Sequence, residues 1–325
     1  MIKKSRSFSQ LLSSGNGIAV SVIILCVFLL IAAIGVPNVF QSANLANVFR
    51  VNSPSGIMAV GIALVLLLGE IDISVGAIMA LSVMIGAQVI DYSEPAALAV
   101  IIGIGAACGF LNGWVVAKMR VPSLMVTIGT MSIYTGLAFI ISNSQAKFIT
   151  PTHSLFGTMA KGDLGGIPNT FILFLVVTIV LWVIASKTSF GKSIYYTGAN
   201  KRAAWMSGIR IDHVKIIVFV ICGITAALAG PLLTTQIGNA TPEAGHGQEI
   251  TAISVAVLGG ISLDGGRGSV ICVLFGMITM GILMNMLALT GMGTYVEMAV
   301  KGLLIIAVVF IYGLVNRKTG ALKEA

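Results

Sequence analysis

SGIMAVGIALVLLLGEIDISVGAIMALSVMIGAQVI, residues 55–90, carries only two charged side chains, Glu70 and Asp72, and they lie between two apolar runs at 55–68 and 75–90. A helix crossing a bilayer needs roughly 20 apolar residues, so both runs are short. Short or broken spans are tolerated at membrane depth only where protein or water satisfies their backbone, which marks this stretch as part of a functional core. The rest of the chain has the same character. Of its 325 residues 57% are hydrophobic and 9% charged, against about 25% charged in soluble domains, and its mean hydropathy is +1.03. That balance excludes a cytosolic enzyme, a secreted disulfide scaffold and a disordered chain. An all-α polytopic membrane protein is expected, embedded in the lipid bilayer.

Ten runs have the character of spans: 18–36, 55–68, 75–90, 96–116, 123–142, 169–185, 216–235, 250–261, 269–290 and 295–315, with 250–261 the third short one. If the N-terminus is cytoplasmic and the spans alternate, the inner segments hold Lys3, Lys4, Arg6, Lys118, Arg120, Lys187, Lys192, Lys201, Arg202, Arg210, Lys215, Arg267, Arg317, Lys318 and Lys323, which is 15 of the 19 basic residues. The outer segments hold Arg50, Lys147 and Lys161, and Lys301 lies within the last span. The bias of Lys and Arg toward cytoplasmic loops predicts about ten transmembrane helices with both termini inside. The organisation expected is a cytoplasmic tail at 1–17, one transmembrane domain at 18–315 with a cytoplasmic loop at 186–215, and a cytoplasmic tail at 316–325. Lys3, Lys4 and Arg6 precede an apolar run longer than a signal peptide's 7–15 residues, so 18–36 reads as an uncleaved first helix.

The motifs of catalysis and metal binding are missing from the sequence. Cys26, Cys108, Cys222 and Cys272 lie in apolar runs without CxxC spacing, and His153, His213 and His246 fall in separate loops, so no zinc site is suggested. No GxSxG nucleophile motif occurs. Phe190-Gly191-Lys192-Ser193 ends like a phosphate loop, but Ser186 stands where that motif needs a glycine. Gly259 to Gly268 is glycine-rich and lacks the Lys-Ser/Thr ending. No catalytic residue, metal site or cofactor is expected in this chain, and ATP, if it drives the protein, must be bound by another subunit. The net charge of +8 is no nucleic-acid footprint, because no basic stripe interleaves with aromatic residues.

Carboxylates between apolar runs are expensive in a membrane and usually functional. Asp72 and Ser74 could cap a helix beginning near Val75, contribute to a translocation path, or relay protons. Glu70 has no basic partner nearby in sequence. Gly105, Gly109 and Gly113 share one helix face and read as a packing surface. Glu297 and Lys301 have the spacing of a helical ion pair. In the loop at 186–215, Asn200 is an N-cap, Ala203 to Met206 favours a short helix, and Gly208 is a stop. Trp205, Met206 and Ile209 then present apolar surface on a basic loop, either as a docking knob or as an anchor at the lipid interface.

Gly69-Glu70-Ile71-Asp72-Ile73-Ser74-Val75-Gly76 resembles the GGIDLSVG motif of the permease subunits of bacterial ABC importers for sugars, the ribose-type family, with Glu70 replacing the usual second glycine. Three further blocks resemble that family in order: Asn112-Gly113 through Val121-Pro122 to Thr127-Ile128-Gly129-Thr130; Gly198-Ala199-Asn200 with Ala203-Ala204 and Ser207-Gly208-Ile209; and Pro242 through Gly245, Gly247 and Glu249 to Gly259-Gly260 and Gly265-Gly266-Arg267-Gly268. The resemblance runs over residues 20–315. It implies a multi-pass protein of the bacterial inner membrane that works with a second permease copy or paralogue, a cytoplasmic ATP-binding subunit and a periplasmic sugar-binding protein. By the same resemblance Asn200, Ala203, Ala204, Trp205, Ser207, Gly208 and Ile209 meet the ATPase. Gly69, Glu70, Asp72, Ser74, Gly76, Gly259, Gly260, Gly265 and Gly266 belong to the path or its fold motif, and Pro242, Gly245, Gly247 and Glu249 to the contact with the binding protein. The alternative is an ion-coupled secondary transporter acting without an ATPase. Gly69 and Gly259 both interrupt apolar runs before polar residues, a hint of an internal repeat.

Overall fold

The structure, a computed structural model, describes residues 17–148 and 154–318. Lys3, Lys4, Arg6, His153 and Lys323, and with them most of both expected tails, lie outside the described residues. Among the described residues there are thirteen helices: α1 (Gly17–Gly35), α2 (Ser42–Leu67), α3 (Val75–Gly86), α4 (Glu94–Lys118), α5 (Ser123–Ser142), α6 (Ser154–Lys161), α7 (Asn169–Lys187), α8 (Ser189–Ala199), α9 (Lys201–Met206), α10 (Ile211–Ile237), α11 (Gln248–Leu258), α12 (Val273–Leu289) and α13 (Thr294–Lys318). Each of the ten apolar runs falls on its own helix. Six helical segments are long and apolar enough to cross a membrane: α2, α4, α5, α7, α10, and α12 with its preceding 3₁₀ turn from Val270. The protein is a multi-pass, mostly helical membrane protein.

One expected short span is long. The run at 55–68 is only the second half of α2, which starts at Ser42 and spans 26 residues. The polar first half is helical because its side chains find partners. Asn44 donates to Asn285 of α12 at 2.8 Å, and Asn52 and Ser53 bond back to the carbonyls of Val48 and Phe49. Pro54 has no N–H to offer the carbonyl four residues earlier. That carbonyl, on Arg50, instead accepts from Gln236 Nε2 at 3.0 Å and Thr170 Oγ1 at 3.4 Å. Two genuinely short helices remain, α3 with 12 residues and α11 with 11. At 1.5 Å per residue each is about 17 Å long, half of a roughly 30 Å hydrocarbon layer.

Helix α2 is the axis of the bundle, with every residue from Ser53 to Leu67 buried, and α7, α10, α11 and α12 pack around it. The glycine face of α4 lies against α10. A Cβ at Gly105, Gly109 or Gly113 would strike Gly223, Phe219 or Ile216 of that helix, so the three glycines set the distance between the two backbones. Glu297 and Lys301 share α13 but form no ion pair among the described residues. α5 and α7 expose apolar faces, Ile128, Ile133 and Ile140 on one and Val176, Ile179 and Val180 on the other, as suits helices that face lipid. Short strands stitch the end of the bundle away from α9: β1 (Lys147–Phe148) pairs antiparallel with β4 (Asn239–Ala240), and β2 (Asp163–Leu164) with β3 (Ile167–Pro168).

Candidate functional site

The loop at 186–215 folds as its residues prescribe. The Asn200 side chain accepts from the Ala203 N–H at 3.0 Å and so starts α9. Gly208, at φ +81°, ends it, with the Ile209 N–H donating to the Ala204 carbonyl at 3.1 Å. Ala204 is buried and seats the helix, whereas Met206 stands exposed and Trp205 is 71% exposed. Trp205, Gly208 and Ile209 border an open groove of about 870 Å³, which they share with Glu70, the 116–124 segment and the start of α10.

Glu70 forms the inner wall of that groove. Its Oε1 lies 2.6 Å from Lys215 Nζ and 3.1 Å from Lys201 Nζ. The Glu70 side chain is 8% exposed, Lys215 13% and Lys201 52%. Burial pushes the Glu70 carboxyl up. The hydrogen bond from Lys215, that from Ser123 and the charges of both lysines outweigh burial and hold the carboxyl below the usual carboxylate range. The residue that departs from the GGIDLSVG pattern therefore ties the α2–α3 link to the first residue of α9 and the first turns of α10.

Beside this ion cluster three segments meet backbone to backbone. The Gly266 N–H donates to the Leu67 carbonyl at 2.8 Å. A Cβ at Gly198 would strike that same carbonyl, and one at Gly265 would sit 2.8 Å from the Gly69 Cα. Tyr195 of α8 adds a hydrogen bond to the Gly268 carbonyl at 3.1 Å. Gly69, Gly198, Gly265 and Gly266 are thus one junction. Gly259 and Gly260 lie apart from it, at the end of α11, where Gly259 packs against Cys272.

Asp72 is fully buried. Its Oδ1 accepts from the Ser74 N–H at 2.9 Å and the Ser74 hydroxyl at 2.6 Å, just ahead of the first residue of α3. The chain of bonds continues, with Asn112 Nδ2 donating to Ser74 Oγ at 2.8 Å and the Tyr134 hydroxyl to Asn112 Oδ1 at 3.1 Å. Ser123 of the second motif block also joins, accepting from the Ile71 N–H at 3.1 Å. Asp72 Oδ2 has no hydrogen-bond partner among the described residues. Tyr134 gave no signal in sequence, being one aromatic in an apolar run.

The short helices α3 and α11 begin at one place. Gly76, in the first turn of α3, touches Gly245, just ahead of α11, so closely that a Cβ on either would strike the other's carbonyl. From there the helices diverge. The far end of α3, at Gly86, packs on Ala97 and Ile101 near the start of α4, whereas α11 leads back to Gly265 and Gly266 at the junction. Pro242, Gly245 and Glu249 are buried at this meeting point and Gly247 is half-buried. With Gly76, Ala77 and Ala80 of α3 and Met131, Thr135 and Phe139 of α5, the 242–249 segment lines a cavity of about 360 Å³.

All four motif blocks therefore converge on residues 67–76. Residues 44–309 match the family described as branched-chain amino acid transport system, permease component. The chain belongs to that permease family. The permease is 36% identical over 299 residues to the ribose import permease protein RbsC of Bacillus subtilis, covering 91% of this chain and 92% of that one. It is 33% identical over 285 residues to the D-allose transport system permease protein AlsC of Escherichia coli, covering 86% and 87%. To the L-arabinose transport system permease protein AraH of Escherichia coli it is 32% identical over 295 residues, 88% of each. No solved structure matches the permease. These relatives are transport permeases, not enzymes, and among the described residues of the permease no group of three or more His, Cys, Asp or Glu could hold a metal ion.

Proposed function

We propose that this permease is the membrane subunit of an ATP-driven ABC importer for a monosaccharide or related small sugar. The observation that carries the reading is a continuous set of contacts from an exposed, apolar-tipped helix to the meeting point of two half-helices. Trp205 and Met206 offer surface that a soluble partner can grip. Lys201 and Lys215 connect that grip to Glu70, and the glycine junction connects it to Leu67 and Gly69. The 67–76 segment then leads into α3, whose first turn is held against Gly245. Discontinuous helices meeting within the bundle are where transporters place their paths. A push on α9 shifts the packing of α3 against α11, and two such packings make an alternating-access switch.

In this reading the chain crosses the bacterial inner membrane ten times within one transmembrane domain at 18–315, with both termini and the 186–215 loop cytoplasmic. α3 and α11 each cover half of a crossing that the segments beside them complete. The distribution of Lys and Arg supports that orientation. ATP is bound by a cytoplasmic subunit docked on α9, so this chain needs no cofactor and catalyses no reaction. A periplasmic sugar-binding protein delivers substrate to the opposite face, and a second permease, the same chain or a paralogue, completes the path. The inward-facing placement of Pro242, Gly245 and Glu249 supports a role in the path for them.

Ala204→Arg forces a charge under the seat of α9. In proteoliposomes holding the complete transporter, this variant should insert normally, lose co-purification with the ATP-binding subunit, and lose ATP-dependent sugar uptake. Sugar uptake by the chain alone under an ion gradient would overturn the reading. An ion-coupled transporter is the second reading, and it draws on the unpartnered Oδ2 of Asp72.

A further inference from the structure

The cavity where α3 meets α11 has a chemistry of its own. At about 360 Å³ it falls in the range of small-molecule sites, roughly 300–1,000 Å³. One wall is Gly76, Ala77 and Ala80, which leave a flat face. Facing it, Met131, Thr135 and Phe139 of α5 are spaced four apart and so share one side of their helix. The Thr135 hydroxyl makes no hydrogen bond among the described residues. Glu249 is 5% exposed and sits in the first turn of α11, where the helix dipole favours a carboxylate. Its Oε1 accepts from the Gly247 N–H at 3.1 Å. Its Oε2 lies over the Gly76 Cα, with no hydrogen-bond donor and no cation among the described residues.

Glu249 lines the cavity, so this oxygen can accept from a ligand that brings hydroxyl groups into it. A sugar presents hydroxyl edges to Glu249 and Thr135 and a C–H face to Phe139 and Met131. Glu243 and His246 also line the cavity, and the two carboxylates outnumber the single imidazole, so the lining disfavours anions. We propose that this cavity is a transient station for one uncharged monosaccharide, in which Glu249 accepts hydrogen bonds from the ring hydroxyls and sugar phosphates are refused. The assignment rests on the importer reading and names its substrate site within this chain.

The test is protection of a cysteine. In full-length permease carrying Cys26→Ser and Ala77→Cys, in native membranes, labelling of residue 77, which lines the cavity, by a small cationic thiol reagent is timed with and without ribose, arabinose or allose. At least one sugar at millimolar concentration should slow labelling fivefold or more, its phosphate ester should not, and adding Glu249→Gln should abolish the protection. Retained co-purification with the ATP-binding subunit shows each variant folded. ATP-dependent uptake without any protection overturns the station and leaves the importer reading standing. Protection that Glu249→Gln does not change overturns the role of that carboxylate. Protection without ATP-dependent uptake supports the station and counts against the importer reading.

Discussion

At Glu70 a single carboxylate oxygen faces two ammonium groups from different segments of the chain. Removing one partner of a fully buried pair costs about 3–5 kcal/mol, and the half-exposed Lys201 lowers that here to about 2 kcal/mol by solvent screening. The carboxyl is held below its usual range, so while both lysines stay protonated the cluster stabilises the protein above the ordinary carboxylate value, and on the acid side it is lost as pH falls through the depressed one. Thermal unfolding of the purified permease should show a decline on the acid side that Glu70→Gln lessens, together with a lower melting temperature for that variant at pH 7. Unchanged melting at pH 7 would remove the cluster from the account. Asp72 is tested by a pair of variants. Asp72 does not cap α3, whose N-cap Ser74 makes no side-chain cap bond, but holds Ser74 itself. Asn keeps an acceptor for the two Ser74 donors and should fold in near-normal yield with uptake retained. Ala leaves them without it, at about 1–3 kcal/mol for a buried donor, and should lower the folded yield. Normal yield with lost uptake in Asp72→Asn would favour the proton-relay reading instead. Local chemistry was readable here, as with Asn200 and Gly208, whose partners lie three to five residues away. The lysines of Glu70 were hidden because an ion pair made across the fold leaves no trace at short sequence distance.

The two half-helices show how far periodicity and length carry a reading at the level of elements. The runs at 75–90 and 250–261 were legible as short because their apolar residues stop at polar, glycine-bearing links. The run at 55–68 misled, since Asn44, Arg50, Asn52 and Pro54 interrupt hydropathy without interrupting α2 once Asn285, Gln236 and Thr170 supply hydrogen bonds. Close packing at Gly76 and Gly245 could not be read from their motifs, which show glycine but not what approaches it. Gly245→Ala should therefore damage the protein far more than Gly129→Ala, where nothing lies within 4 Å of an added Cβ. Uptake by the complete transporter should fall at least tenfold in the first and stay within twofold in the second, and equal effects would contradict the contact between the half-helices.

For the whole molecule, composition and the placement of Lys and Arg carried the class, the number of apolar helices and the expected orientation, because these are sums over the chain. What they could not supply was the convergence of four separated motif blocks around residues 67–76, which exists only in three dimensions. The account depends on which side of the membrane presents α9 and on what covers it there. Trp205→Cys should leave the fold intact, since its side chain is mostly in solvent. In sealed vesicles a membrane-impermeant thiol reagent should label it from the cytoplasmic side alone, and the bound ATP-binding subunit should block that labelling. Labelling from the periplasmic side would contradict the account.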